Sequence, residues 1–396
     1  MTAFGLPRFA TYQFPPWLFQ SGQIDFSKKY AFPAERLALV EKLATQNRVH
    51  GTGKEEAAAI FTAEGFLVAP GLECSETNLM PNGQSHTSAF FWAQKRMGTF
   101  DLGGRNVMQA LGPLILTANT LPDVGNVTGI LWSGVARVEV SATSSLGDQS
   151  PLMLDLMPGD WVEVLRSRGI EVELVHNDSS RNLSRTSRWS TGRKAPPRMP
   201  PLPHSVTLEL LPPWVEEEVD TTTRLSTPAQ RMALANRLVA RNIREGTGGP
   251  FATVITDPNG GILGVGVNRV VPLGVSPMHG EGTALAVVAQ KTGSPVVPEN
   301  SILATNGCTC GMCMGNVIRA RVKTIEYGAT TEDIENLTGF DEGIKSGNWA
   351  KICQRHGVTV VPDILRHECA LELEYYKTSG GMIYNGSRSA EALAAS

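Results

Sequence analysis

Two short stretches decide the reading of this chain: His279-Gly280-Glu281 and, about thirty residues on, Cys310-Gly311-Met312-Cys313. An imidazole and two thiolates are three firm ligands for a borderline-soft ion such as zinc, and three protein ligands leave a fourth position for water. Glu281, two residues from the histidine, places a carboxylate beside that water without being needed as a ligand. The pattern therefore reads as a hydrolytic zinc centre, with one Zn2+ per chain held by His279, Cys310 and Cys313 and with Glu281 as proton shuttle. Helix starts at both motifs suit such a site, because a helix N-terminus lowers thiolate pKa and favours the ligating form.

Working outward, Gln230-Arg-Met-Ala-Leu-Ala-Asn-Arg-Leu-Val-Ala-Arg reads as a helix. It is followed by Gly248-Gly249-Pro250-Phe251-Ala252, the apolar strand Thr253-Val-Ile-Thr and a second strand, Gly261 to Val267. Asn268-Arg269-Val270, the His279 helix, a third strand from Ser301 and the Cys-x-x-Cys helix complete the order, with Thr324-Ile-Glu-Tyr-Gly-Ala after it. From about Ser226 to Gly386 this succession resembles the cytidine deaminase superfamily, in its branch of guanine, cytosine and tRNA-adenosine deaminases. One departure stands out, since Thr309 occupies the place where the family pattern P-C-x-x-C has proline.

An internal repeat gives the second half a partner. Arg36-Leu-Ala-Leu-Val-Glu-Lys-Leu-Ala-Thr-Gln-Asn matches the helix from Arg231, Gly51-Thr52-Gly53 matches Gly246-Thr247-Gly248, and the segment from Gly159 matches that from Gly347. In this register Asp123 and Asn126 face Cys310 and Cys313, Ser88 faces Glu281, Glu73 faces Asn268, and His86 alone keeps its identity. The first copy thus has a deaminase-like frame without thiolates or shuttle. The expected organisation is a degenerate unit over 1–177, a Ser/Arg/Pro-rich linker over 178–204 and a catalytic unit over 205–396. The fold class is α/β, two tandem units each with a central mixed sheet flanked by helices.

What the resemblance implies is hydrolytic deamination of a small aminated heterocycle (nucleobase, nucleoside or relative) with release of ammonia. Asn268, Phe251 and Asp341 are its candidate substrate contacts. Each has a plainer reading: Asn268 as a turn former, Phe251 and Met312 as core, Asp341 as a helix cap. Cys308 invites the alternative of a closed four-ligand structural site. Tyr375, Tyr376 and Gly380–Tyr384 either close over a pocket or cover the sheet edge. Members of this branch dimerise through the metal-bearing helices, so the degenerate copy is expected to serve as a built-in partner, an intramolecular pseudo-dimer with further homo-oligomerisation open.

Composition bounds the rest. With 396 residues, 41% hydrophobic content and a formal net charge of −3, the chain is an ordinary globular protein of more than one domain. That charge supplies no general field for nucleic acid, although Arg181, Arg185, Arg188, Arg193, Lys194 and Arg198 around Trp189 form a local basic cluster. As a tether the cluster is simply solvated; as a contact surface it would suit a tRNA-type substrate. A non-catalytic zinc-binding regulator is the other alternative. No apolar run suits a membrane span and no signal-peptide pattern opens the chain, so a small-molecule substrate and a cytoplasmic setting are expected. Six cysteines, three of them within 308–313, fit metal binding better than a disulfide framework.

Overall fold

The computed structural model describes residues 5–144, 151–157, 159–176 and 192–385. Within them the repeat is visible as two copies of one topology. In the first, β2 (Ala57–Thr62) and β3 (Leu67–Leu72) form an antiparallel pair, and β2 continues through β4 (Leu114–Ala118), β5 (Arg137–Ser141) and β6 (Glu171–Val175). The second repeats this with β8 (Ala252–Thr256), β9 (Ile262–Val267), β10 (Ile302–Gly307), β11 (Thr324–Ala329) and β12 (Thr359–Val361). Each sheet has five strands, with the first three antiparallel and the last three parallel. Helices cover both faces, so the central strands are near-continuous apolar runs, as in Ala252-Thr-Val-Ile-Thr, where every residue is buried.

Helix α1 (Pro33–Val49) lies on the first sheet and its counterpart, the helix Pro228–Arg244, on the second. The latter starts where Thr227 and Gln230 close a capping box with Pro228 at the first position, and it buries Met232, Ala235, Leu238, Val239 and Asn242 along one stripe. Under each helix sits the same buried ion pair. Arg36 donates to Glu139 at 2.8 and 2.6 Å, and Arg231 donates to Glu326 at the same two distances. Arginine's fixed fork suits this two-point contact, which pins each helix to the second parallel strand of its sheet.

The copies are interlocked. β1 (Phe9–Gln13), ahead of the first sheet, pairs antiparallel with β7 (Ser205–Glu209), ahead of the second, in register Phe9↔Glu209 to Gln13↔Ser205. After each comes a Pro-Pro-Trp, whose indole donates to an equivalent hydroxyl: Trp17 to Thr52 at 3.1 Å and Trp214 to Thr247 at 3.0 Å. Helix α2 (Ser85–Met97) runs beside the first sheet and α3 (Val124–Ser133) follows it. Their counterparts in the second unit, α4 (Gly280–Thr292) and α5 (Gly311–Arg319), bear the zinc motifs. α3 and α5 cross so closely that a Cβ placed on Gly315 would lie 3.0 Å from the Gly125 Cα, an approach that needs glycine on both sides.

Arg181, Arg185, Arg188 and Trp189 lie outside the described residues. The later part of that connection, 192–204, follows the surface of the first unit: Arg96 donates to the Pro200 carbonyl at 2.7 Å and His204 stacks on Phe19 at 3.7 Å. No helix among the described residues is long and apolar enough to cross a membrane.

Candidate zinc centre and pocket

His279 is the N-cap of α4 and Cys310 the N-cap of α5, so both sit where backbone N–H groups point outward at a helix start. The Cys313 N–H donates to Cys310 Sγ at 3.4 Å, and Cys310 Sγ lies 3.7 Å from His279 Nδ1. The ligand atoms of His279, Cys310 and Cys313 all fall within 4.8 Å of one another, and among the described residues no other group of three such side chains does so. A nitrogen and two sulfurs at this separation suit a tetrahedral zinc with an open position. Burial opposes ionisation of Cys310, yet its hydrogen bonds with Cys313 and the neighbouring His279 hold the thiol well below its ordinary range. Glu281, in the first turn of α4, is 5% exposed, and burial followed by the charge of Cys310 pushes its carboxyl up to about 7.

A pocket of about 40 Å3, room for a few water molecules, opens onto these groups. Asn268, Phe251 and Asp341 all line it, with Glu281, His279, Cys308, Cys310, Phe340, Glu342 and Tyr384. Asn268 accepts from the Val270 N–H at 3.2 Å through Oδ1, which fixes its amide and leaves its buried Nδ2 facing the Tyr384 hydroxyl. The Trp132 indole N–H is buried without a partner. Polar groups gathered around one pocket in this way suit a polar ring ligand. Phe251 and Phe340 meet at 5.5 Å, and Tyr384 closes edge-on against Phe340 at 4.9 Å.

Several placements differ from the expectation or add to it. Asp341 turns its carboxylate to Arg168 of the first unit at 2.7 Å and to the Gly343 N–H at 3.0 Å, so it borders the pocket while already engaged. Its neighbour Glu342 is the buried one, and burial raises that carboxyl well above its usual range. Met312 packs toward α3 and away from the pocket lining, its sulfur close to Gly129. Cys308 lies outside the ligand trio and receives Lys345 Nζ at 3.3 Å. The same ammonium donates to the Thr309 carbonyl at 2.6 Å, at the residue that replaces the family's proline.

The pocket is also not built from the second unit alone. Trp132, from α3 of the first unit, stacks over the His279 ring at 5.3 Å, and Phe100 forms another part of the wall. The exchange is reciprocal. Trp132 lies nine residues after Asp123, and Arg319 lies nine residues after Cys310. Arg319 reaches the first unit and ion-pairs with Asp123, at the position equivalent to a zinc thiolate. There Asp123 caps α3 by accepting from the Asn126 N–H at 2.9 Å, the same geometry that Cys310 and Cys313 make. A guanidinium thus supplies the cation of the first unit's counterpart site.

His86 is buried beside it, and desolvation followed by the Arg319 charge lowers its pKa to about 3. An unfolded histidine titrates near 6.5 and so takes up a proton that the folded one refuses until about 3. Its contribution to stability is therefore full above about pH 6.5 and falls as pH drops toward 3, by at most ~1.4 kcal/mol per unit. His86→Gln should lose less stability than the wild type between about pH 7.5 and pH 5, measured as the change in Tm. Equal changes in the two proteins would refute the assignment.

A mixed sheet with His-x-Glu and Cys-x-x-Cys at facing helix starts defines a zinc-binding domain of the deaminase class. Residues 226–329 match the cytidine and deoxycytidylate deaminase zinc-binding region. A guanine deaminase from Bacillus subtilis is 32% identical over 105 residues, 26% of this chain; the match spans 65% of the relative, just under two thirds of its length. A solved guanine deaminase from Nitrosomonas europaea is 31% identical over 43% of this chain and 96% of its own, with a TM-score of 0.40. Another solved chain, crystallised with 2,6-diaminopurine, is 34% identical over 44% of this chain and 94% of its own, with a TM-score of 0.41. Over residues 226–329 the chain is thus similar to the cytidine and deoxycytidylate deaminases.

Proposed function

We propose that this chain is a zinc-dependent hydrolytic deaminase of a small aminated heterocycle, a nucleobase of the purine type, with one catalytic unit and one supporting unit. The observation that carries the reading is the convergence of the His279, Cys310 and Cys313 donor atoms beside a buried carboxylate, at a pocket lined by the Asn268 amide. Zinc would be held by those three side chains and would supply the Lewis acidity that eases deprotonation of the attacking water. Glu281 takes up one proton as the water attacks and passes it to the ring nitrogen beside the aminated carbon, then takes the remaining hydroxyl proton and delivers it to the departing amine. Water adds to the carbon, the C–N bond breaks, and ammonia leaves a carbonyl behind.

The other residues orient the ring. Asn268 Nδ2 donates to a ring-edge acceptor, Phe251 and Phe340 flank the ring, and Trp132 covers the side next to His279. Asp341 sets the loop that presents Glu342, whose buried carboxyl meets the ring's polar edge. The guanine deaminases among the relatives make guanine the base to test first.

One zinc per chain is expected, because in the first unit the positions facing the thiolates are Asp123 and Asn126 and Arg319 already pairs with Asp123. The first unit, about 1–177, acts as an internal dimer partner. Six buried cysteines, all free, suit a cytoplasmic setting. The test is ammonia release from guanine, adenine, cytosine and their nucleosides by the zinc-loaded chain; no release from any of them would defeat the proposal. Elemental analysis should give about one zinc per polypeptide, falling toward zero in Cys310→Ala and unchanged in Asp123→Ala. Two zinc ions per chain would overturn the single-site assignment.

A further inference from the structure

The side chain that most directly ties the two units together behind the pocket belongs to neither motif. Gln94 lies on α2 of the first unit, eight residues after His86, and is fully buried. Its counterpart eight residues after His279 is Val287, an apolar core residue. An amide in an apolar helix position is unfavourable unless every polar atom is bonded, and here each one is. Gln94 Nε2 donates to the Phe100 carbonyl at 2.6 Å and to Ser276 Oγ at 2.9 Å, while Oε1 accepts from the Ser276 N–H at 3.0 Å. The carbonyl of Phe100 can only accept and the N–H of Ser276 can only donate, so the amide's orientation is fixed.

Both partners line the pocket, and they come from different units. Ser276 sits in the loop that runs from Asn268 to His279, between the ring-binding amide and the first zinc ligand. The same loop is held from the first unit at two flanking carbonyls, by Lys95 Nζ on Leu273 at 3.1 Å and by Asn82 Nδ2 on Pro277 at 3.3 Å. Phe100 follows α2 and meets Tyr384 edge-on at 5.8 Å. One rigid amide therefore sets the distance between the Phe100–Tyr384 side of the pocket and the Asn268–His279 side.

We infer that Gln94 is a positioning residue for substrate binding, the point through which the non-catalytic unit sets the width of the pocket of the other. The inference rests on the deaminase reading of the site, and it answers what the first unit does beyond covering a surface. Gln94 does not touch the zinc ligands or Glu281, so its removal should loosen ring binding more than chemistry.

The experiment compares zinc-loaded full-length wild type with Gln94→Met, which keeps the length and removes the side-chain hydrogen bonds, and with Ser276→Ala, which keeps the backbone contact. In Gln94→Met, KM for guanine should rise about tenfold with kcat changed by less than about threefold; in Ser276→Ala the rise should be about threefold or less. Amide hydrogen exchange should quicken in 99–102 and 274–278 of Gln94→Met and stay unchanged in the two sheets, with zinc content retained. Unchanged exchange in both segments, or a rise spread through both sheets, would overturn the inference, as would an equal fall in kcat and kcat/KM with KM constant. Should the wild-type chain release ammonia from no base, that failure belongs to the deaminase reading, and the exchange comparison still decides for or against Gln94.

Discussion

Glu281→Gln should retain about one zinc per chain while turnover falls by a factor on the order of 10² to 10⁴, the usual worth of a positioned acid–base group. The substitution keeps the shape of the side chain and removes its ability to accept a proton. Glu281 is not among the three donor atoms that converge, so the metal has no reason to leave. KM should move little, since the loss concerns a transfer made during reaction. Ammonia release and elemental analysis on the same preparation check both halves of the expectation. Loss of zinc would mean that the carboxylate ligates, and turnover near wild type would mean that another group, with Glu342 the nearest candidate, carries the proton.

The convergence of His279, Cys310 and Cys313 was legible because it is written in two short, fixed spacings. His279, Cys310 and Cys313 need only two helix starts to meet, and helix starts are local features. The repeat was legible in its interior, from Arg36 and Arg231 onward, but it begins earlier than that alignment. Pro15-Pro16-Trp17 and Pro212-Pro213-Trp214 are matching triplets that lie after the cross-paired strands β1 and β7. The signal was present and short enough to pass as loop.

Other parts of the site could not be read along the chain. Glu342 and Asp341 are adjacent, and which carboxylate turns inward depends on Arg168, 173 residues away, drawing Asp341 outward. Trp132 reads as a helix residue in a degenerate copy, and nothing local says that it reaches the other unit's histidine. Arg319 likewise reads as an ordinary last-turn cation favoured at a helix C-terminus. Only the near-twofold crossing of α3 on α5 sends each of these side chains into the opposite copy's site. Gln94 carried one faint mark, an amide where Val287 stands in the repeat. Met312, between the two cysteines, was open to a pocket role because the motif is helical there, but α3 lies on that side.

Separating the units should have the largest effect of all. Residues 205–396 produced alone should be insoluble or self-associated, with deamination lost beyond measurement. β7 would lose its partner and expose an unpaired edge. The α5 face around Gly315 would lose α3, leaving Met312 and the cysteine helix uncovered, and apolar surface of this kind drives association. The pocket itself would lose Trp132 and Phe100, and the Asn268–His279 loop would lose Gln94, Lys95 and Asn82. Cutting the intact chain between Ser190 and Pro200 is a different matter, because the β1–β7 pairing and the α3–α5 contact do not run through that segment. The nicked protein should stay together in gel filtration and keep its zinc and turnover. A soluble, monomeric and fully active 205–396 fragment would show that neither cover nor pocket wall is needed from the first unit. Dissociation of the nicked chain would show that the tether and not the interface holds the two copies in register. The two manipulations differ only in whether the first unit is present, so the contrast between them isolates what packing against it contributes to the site.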